Sequence, residues 1–200
     1  MLDSTSAPLS RESHRLPDVL IDELPAAELC ALRLDHTVFP LGNACVVADG
    51  LDSAGDRIRG AFGRHSRRLI AELDTAAWIW GARATSPARF EFCARLAERA
   101  RLAPGAVDAL REVAIAEEEI VTLAGRRVTS PVRTAIDLAR FRADDAYDSD
   151  VVAALLVHAR MDPAAARREM DARRHLTHAA RARQRLEELG RRGDRDLSRP

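Results

Sequence analysis

The side chains that could hold a metal or do acid–base chemistry are few and scattered. His14, His36, His65, His158, His175 and His178 match no zinc spacing with Cys30, Cys45 and Cys93. His175 and His178 stand three apart across an expected helix break, a poor ligand pair. Glu117, Glu118 and Glu119 form a carboxylate run, but alternate residues of a strand point apart, so the run reads as a solvated loop rather than a cation site. There is no Gly-rich phosphate loop, no nucleophile elbow and no paired-histidine helix motif. All 31 basic residues are arginines, which excludes Schiff-base, phosphate-loop and nuclease-type lysines. What remains is electrostatic. Arg57, Arg59, Arg64, Arg67 and Arg68 follow Asp56 with no further acid before Glu72. They read either as phosphate contacts or as a solvated helix face.

The element around which the chain is organised is Gly125–Arg140, GRRVTSPVRTAIDLAR. Gly125 permits a tight turn, and Arg127-Val128-Thr129 suits a strand. Ser130 can cap the free amides of a following helix, and Pro131 suits its first position because it has no N–H to leave unpaired. Val132, Ala135, Ile136 and Ala139 then recur at helical spacing and make an apolar face. Arg133, Asp137 and Arg140 occupy the opposite face, where Arg133 and Asp137 can pair across one turn; such a face is expected to be solvated. Thr134 belongs to the same motif.

Two hundred residues suit one domain or two small ones, and net charge is zero, so nucleic acid could be attracted only by a local patch. The cysteines, odd in number and without a C-x-x-C, read as reduced, semi-buried core residues. The N-terminal MLDSTSAPLSRES has an early acid and no apolar run of signal-peptide type, and no stretch approaches membrane-spanning length; a cytoplasmic protein with no membrane partner is expected.

The expected organisation has five parts. Residues 1–17 make a loose polar arm, and 18–65 a winged-helix-like segment. Residues 66–145 form a central α+β domain, 146–190 a helical segment and 191–200 a disordered tail. In the first segment a short helix over Asp18–Leu24 precedes a better one from Pro25. A hairpin follows, with strands Val38–Leu41 and Ala44–Ala48 around Gly42-Asn43. Strands are expected at Arg68–Glu72, Arg89–Arg95, Ala109–Ile115, Ile120–Leu123 and Arg126–Thr129, giving one mostly antiparallel sheet of about five strands with the Pro131 helix packed on it. Asp74 is expected to cap a short helix closed by Gly81. Trp78 and Trp80, two positions apart on that helix, cannot both be fully buried on one side. Ser149 or Asp150 should cap the next helix, Asp162 the one beginning at Pro163, and Thr177 the last, which should end at Gly190.

Two segments together, Ile70–Ala82 (IAELDTAAWIWGA) and Gly125–Phe141 (GRRVTSPVRTAIDLARF), resemble the AbiEi-type antitoxins of type IV toxin–antitoxin systems over roughly Leu24–Leu189. The resemblance implies a non-catalytic, cofactor-free regulator. It implies an N-terminal winged helix on operator DNA and a nucleotidyltransferase-like toxin that is opposed without obligatory tight binding. The wing-bearing module is shortened here to Pro25–Asp35 and the hairpin. Carried onto this chain, Arg33 would face the major groove beside His36, the hairpin would lie near phosphate, and the Arg57–Arg68 cluster would contact the backbone. A homodimer would double those contacts. The alternative is a non-catalytic interaction module without DNA contact, working through the sheet and its Trp-bearing edge.

Overall fold

The computed structural model of the chain describes residues 19–20, 24–47, 53–173 and 176–197. The expected arm over 1–17, His14, His175 and the end of the expected tail lie outside them. The fold is α+β, with two sheets and a helical C-terminal part. The first sheet has the order β1 (Val19–Leu20), β3 (Ala44–Val47), β2 (Val38–Leu41), all antiparallel. Where a short helix over 18–24 is predicted, Val19 and Leu20 instead pair with Val46 and Cys45. A tertiary ladder outweighs weak local helix preference there.

Helix α1 (Ala26–Leu34) precedes the hairpin, and α2 (Ala54–Phe62) follows it. The start of α2 is fixed by a capping box: Ser53 Oγ accepts from the Asp56 N–H, and the Asp56 carboxylate accepts from the Ser53 N–H, both at 3.2 Å. The hairpin turn, with Gly42 at φ 62°, sits directly on α2. Asn43 N–H donates to the Gly60 carbonyl at 2.9 Å, and Asn43 Nδ2 donates to the Ala61 carbonyl at 3.1 Å. A methyl group on Gly60 would lie 2.3 Å from the Leu41 carbonyl oxygen, so only glycine lets the two backbones touch.

The second sheet is built from β4 (Ile70–Ala71), β5 (Glu91–Arg95), β6 (Ala109–Val113), β7 (Ile120–Leu123) and β8 (Arg126–Thr129), in the order β6-β5-β4-β8-β7. All five expected strands are present. Their pairing is evenly mixed: β4–β5 and β7–β8 antiparallel, β4–β8 and β5–β6 parallel. Connection length decides this. The tight Gly125 turn, at φ 71°, forces β7 and β8 antiparallel, whereas the long connector over 96–108 allows a crossover into parallel β6. Helix α3 (Leu73–Ile79) leaves β4 directly and stops at Gly81, at φ 78°. Asp74 lies inside its first turn and does not cap it; its carboxylate instead takes Arg83 at 3.0 Å and Arg142 at 2.9 Å.

Leu41, Val46, Ile58, Phe62, Trp78, Ile79, Phe92 and Val128 form one apolar core, so the hairpin and α2 share their interior with the five-stranded sheet. Trp78 is buried, while Trp80 is half-buried, as their spacing predicts. Of the cysteines, Cys45 and Cys93 are buried and Cys30 is exposed; all three are free thiols.

The C-terminal part comprises α4 (Pro131–Phe141), α5 (Ser149–His158), α6 (Pro163–Asp171) and α7 (Ala179–Leu197). Asp162 caps α6 as expected, its carboxylate accepting from the Ala165 N–H at 2.6 Å. The cap of α5 is Asp148 rather than Ser149 or Asp150. Helix α7 does not end at Gly190. It continues to Leu197, so 191–197 is helical rather than disordered; Arg192 reaches Ser149 Oγ at 2.9 Å from that extension. Ile136 is fully buried, but against Met170 and Ala182 rather than against the sheet. Ala135 and Leu138 pack among Leu73, Ala77, Val152 and Leu155. Among the described residues no helix is long and apolar enough to cross a membrane.

Candidate functional site

The polar face of α4 is not solvated. Thr134, Asp137, Arg133 and Arg140 are 0%, 1%, 6% and 5% exposed. Ser130 Oγ accepts the Arg133 N–H at 3.2 Å, with Pro131 at the first helical position. Thr134 Oγ1 donates to the Ser130 carbonyl at 2.8 Å and lies 2.7 Å from Thr129 Oγ1, which locks strand β8 to the helix. From that fixed start the helical spacing sets Arg133, Asp137 and Arg140 side by side. Arg133 Nε donates to Asp137 Oδ2 and Arg140 Nη1 to Asp137 Oδ1, each at 2.8 Å. The expected Arg133–Asp137 pair is therefore present, inside the protein rather than on its surface.

Distant elements complete the cluster. Arg111, on edge strand β6, grips Glu72 with Nε and Nη2, both at 2.6 Å, and reaches Asp137 at 3.4 Å. Glu119 closes a 3-10 turn over Glu117–Glu119; it accepts Arg133 Nη1 at 2.8 Å and also takes Arg173. The glutamate run is thus not a uniform solvated loop, since Glu119 is buried among cations. The Arg111 and Arg140 guanidinium carbons lie 4.3 and 4.5 Å from the Phe141 ring centroid. This side of the molecule opens into a cleft of ≈ 1020 Å³ containing Arg95, Arg111, Arg133, Arg140 and Arg173.

The electrostatics follow from burial against charge. Burial raises the Glu72 carboxyl and outweighs the Arg111 cation beside it. Burial also raises Glu119, but the Ala116 N–H with Arg133 and Arg173 outweighs it and holds that carboxyl below its ordinary value. Cys93, beside Glu72, is pushed well up by burial and by the neighbouring carboxylate, which leaves a thiol rather than a nucleophilic thiolate. Burial and the nearby Arg133 and Arg111 cations lower Arg140 against the pull of Asp137.

His65 is buried with both ring nitrogens committed. Nδ1 accepts the Ala103 N–H at 2.9 Å, so the proton sits on Nε2, which donates to Asp108 at 2.8 Å. The other Asp108 oxygen accepts the Phe90 N–H at 3.0 Å. A histidine tied at both ends in this way has no nitrogen left to take a proton from a substrate. Among the described residues, no group of His, Cys, Asp and Glu could hold a metal ion.

The residues selected from sequence as DNA contacts are dispersed. Arg33 is exposed in the last turn of α1, and His36 follows it at φ 54°. Arg57 points inward and donates to the Trp78 carbonyl at 3.0 Å. Arg59 is exposed and pairs with Asp56 at 3.1 Å. Arg64, Arg67 and Arg68 are exposed after α2, and Arg67 and Arg68 share a shallow groove with Arg127, itself paired with Glu98 at 2.5 Å. Arg111, Glu72, Glu119 and Arg173 escape a sequence reading, because each stands alone in its own segment. The one local signal is Arg140, three positions beyond Asp137.

Residues 69–189 match the AbiEi antitoxin C-terminal domain, which spans the five-stranded sheet, the buried charge cluster and α3 to most of α7. The chain belongs to the AbiEi antitoxin family. No curated protein matches it.

Proposed function

We propose that the chain is the antitoxin and operon repressor of a type IV toxin–antitoxin pair. It acts in the cytoplasm, without catalysis, against a nucleotidyltransferase-like toxin. The observation that carries the antitoxin role is the family domain over residues 69–189, whose Ser130–Pro131 helix start and buried arginine face are intact. Operator binding is supported by the exposed arginines around α2 and by the hairpin seated on that helix. In this reading Arg67 and Arg68 contact phosphate, Arg33 and His36 approach bases, and a dimer supplies two half-sites. Arg57 serves as a strut for α3.

The test is a mobility-shift titration of the full chain on its own upstream DNA at low and moderate salt. Retardation should weaken as salt rises, and Arg67→Ala with Arg68→Ala should reduce both affinity and salt slope. Absence of retardation by folded protein at micromolar concentration would retire the operator reading. A non-catalytic interaction module would then remain, tested by co-expression with a neighbouring nucleotidyltransferase. The half-burial of Trp80 and the free edge of β6 favour that second reading.

A further inference from the structure

The cleft beside α4 has more cations than its carboxylates saturate. Five arginines line it against three glutamates, Glu118, Glu119 and Glu169. Asp137 lies below the floor and gathers three of the arginines within 3.4 Å of its two oxygens. One carboxylate cannot occupy three guanidinium groups. Arg111 spends Nε and Nη2 on Glu72 and Asp137. Arg133 spends Nε and Nη1 on Asp137 and Glu119, and Arg140 spends Nε and Nη1 on the Thr177 carbonyl and Asp137. Among the described residues no partner is found for Arg111 Nη1, Arg133 Nη2 or Arg140 Nη2, although the last two belong to side chains more than nine-tenths buried. Arg95, on the cleft wall, has a buried Nε in the same condition.

Buried guanidinium N–H groups without acceptors are costly, and three held around one point match a tetrahedral oxyanion better than a two-oxygen carboxylate. Around them stand Val113, Ile115, Phe141 and Leu176, an apolar wall that can cover an organic moiety attached to such an anion. The Ser130 end of α4, its positive pole, opens onto the same space.

The geometry points to a phosphate-binding subsite formed by Arg111, Arg133 and Arg140, which takes a phosphorylated small molecule in the cleft. The site is independent of the operator reading, because its free N–H groups lie on nearly buried side chains at the cleft floor rather than on the exposed arginines around α2. That depth suits a free phosphoryl group and not the backbone of a duplex.

The experiment uses the full chain with inorganic phosphate and, separately, adenosine 5′-triphosphate, each against chloride at matched ionic strength. Binding is followed by calorimetry, thermal melting and the side-chain Nε–Hε NMR signals of arginine. Saturable binding, a melting temperature that rises with ligand, and shifts confined to Arg111, Arg133 and Arg140 are expected. Tighter binding of the triphosphate identifies an organic phosphate as the occupant; equal binding identifies free phosphate, and both support the subsite. Arg111→Gln should weaken either ligand at least tenfold. Should that variant fold poorly, Arg173→Gln at the cleft rim tests the same field, with Arg181→Gln on exposed α7 as the unaffected control. No saturable signal in the wild-type protein, shifts at other arginines, or displacement of phosphate from the cleft by duplex DNA would overturn the assignment.

Discussion

Trp80 Nε1 donates to the Thr129 carbonyl at 2.9 Å, across 49 positions of sequence. This bond, with the parallel pairing of β4 and β8, ties the two segments that carry the family resemblance into one unit. One segment supplies a half-buried indole at the end of α3. The other supplies the last carbonyl before the Ser130 cap. Thr129 therefore spends its carbonyl on the indole and its hydroxyl on Thr134, leaving the strand-to-helix corner no freedom to shift.

Removing Asp137 should be among the most damaging single changes in the protein. Asp137→Ala leaves Arg133 and Arg140 buried without their shared carboxylate and weakens the hold on Arg111. A loss of about 3–5 kcal/mol is expected, read as the midpoint shift in urea unfolding. A loss under about 1 kcal/mol would mean that the cluster is solvated in solution.

Two buried carboxylates should respond oppositely to acid. Glu119 has its folded value held below the ordinary 4.5, so its stabilising contribution is present above that value and is lost as pH falls through the lower folded one. Glu72 has its folded value raised, so its contribution is present below 4.5 and is lost as pH rises through the folded value. Glu119→Gln should therefore flatten the decline in stability below about pH 4.5, whereas Glu72→Gln should steepen it. Urea midpoints measured from pH 3 to 7 check both slopes.

Glycine substitutions in two helices should have opposite signs. Gly60→Ala places a methyl 2.3 Å from the Leu41 carbonyl oxygen and should cost about 1–3 kcal/mol despite the better helix propensity of alanine. Gly193→Ala in α7 meets nothing within 4 Å and should stabilise by up to about 1 kcal/mol. Thermal melts of the two variants against wild type decide the matter; no gain from Gly193→Ala would indicate that α7 frays before that residue.

The long β5–β6 connector should depend on His65. In His65→Ala the Ala103 N–H loses its acceptor and Asp108 loses its donor, at a cost of about 2–4 kcal/mol. Trypsin should then cut faster at Arg99 and Arg101, within the connector. Unchanged cleavage there would mean that other contacts hold the segment.

What was legible in the sequence was local. Ser130-Pro131, Asp162-Pro163, Gly42 and Gly125 each act through neighbouring backbone groups, and each does in the structure what its chemistry predicts. The Arg133–Asp137 pair follows from helical spacing alone. The fate of that pair was not legible, because burial is imposed by Arg111, Glu119 and Arg173, which arrive from other segments. The same limit explains the missed length of α7: glycine stops a helix when it turns left-handed at the end, and Gly190 does not. The Asp18–Leu24 helix failed because a strand partner, β3, lies more than twenty positions downstream.

The backbone contact between Gly60 and Leu41 also limits how this protein could relay a signal. A hairpin that rests on a helix through atoms, rather than through adaptable side chains, has no room to swing as an independent paddle. Whatever pushes on the hairpin tip pushes on α2, and through Phe62 and Phe92 on the sheet itself, where the two rings meet edge to face at 5.0 Å. A load applied at the hairpin is thus carried as a tilt of the whole frame.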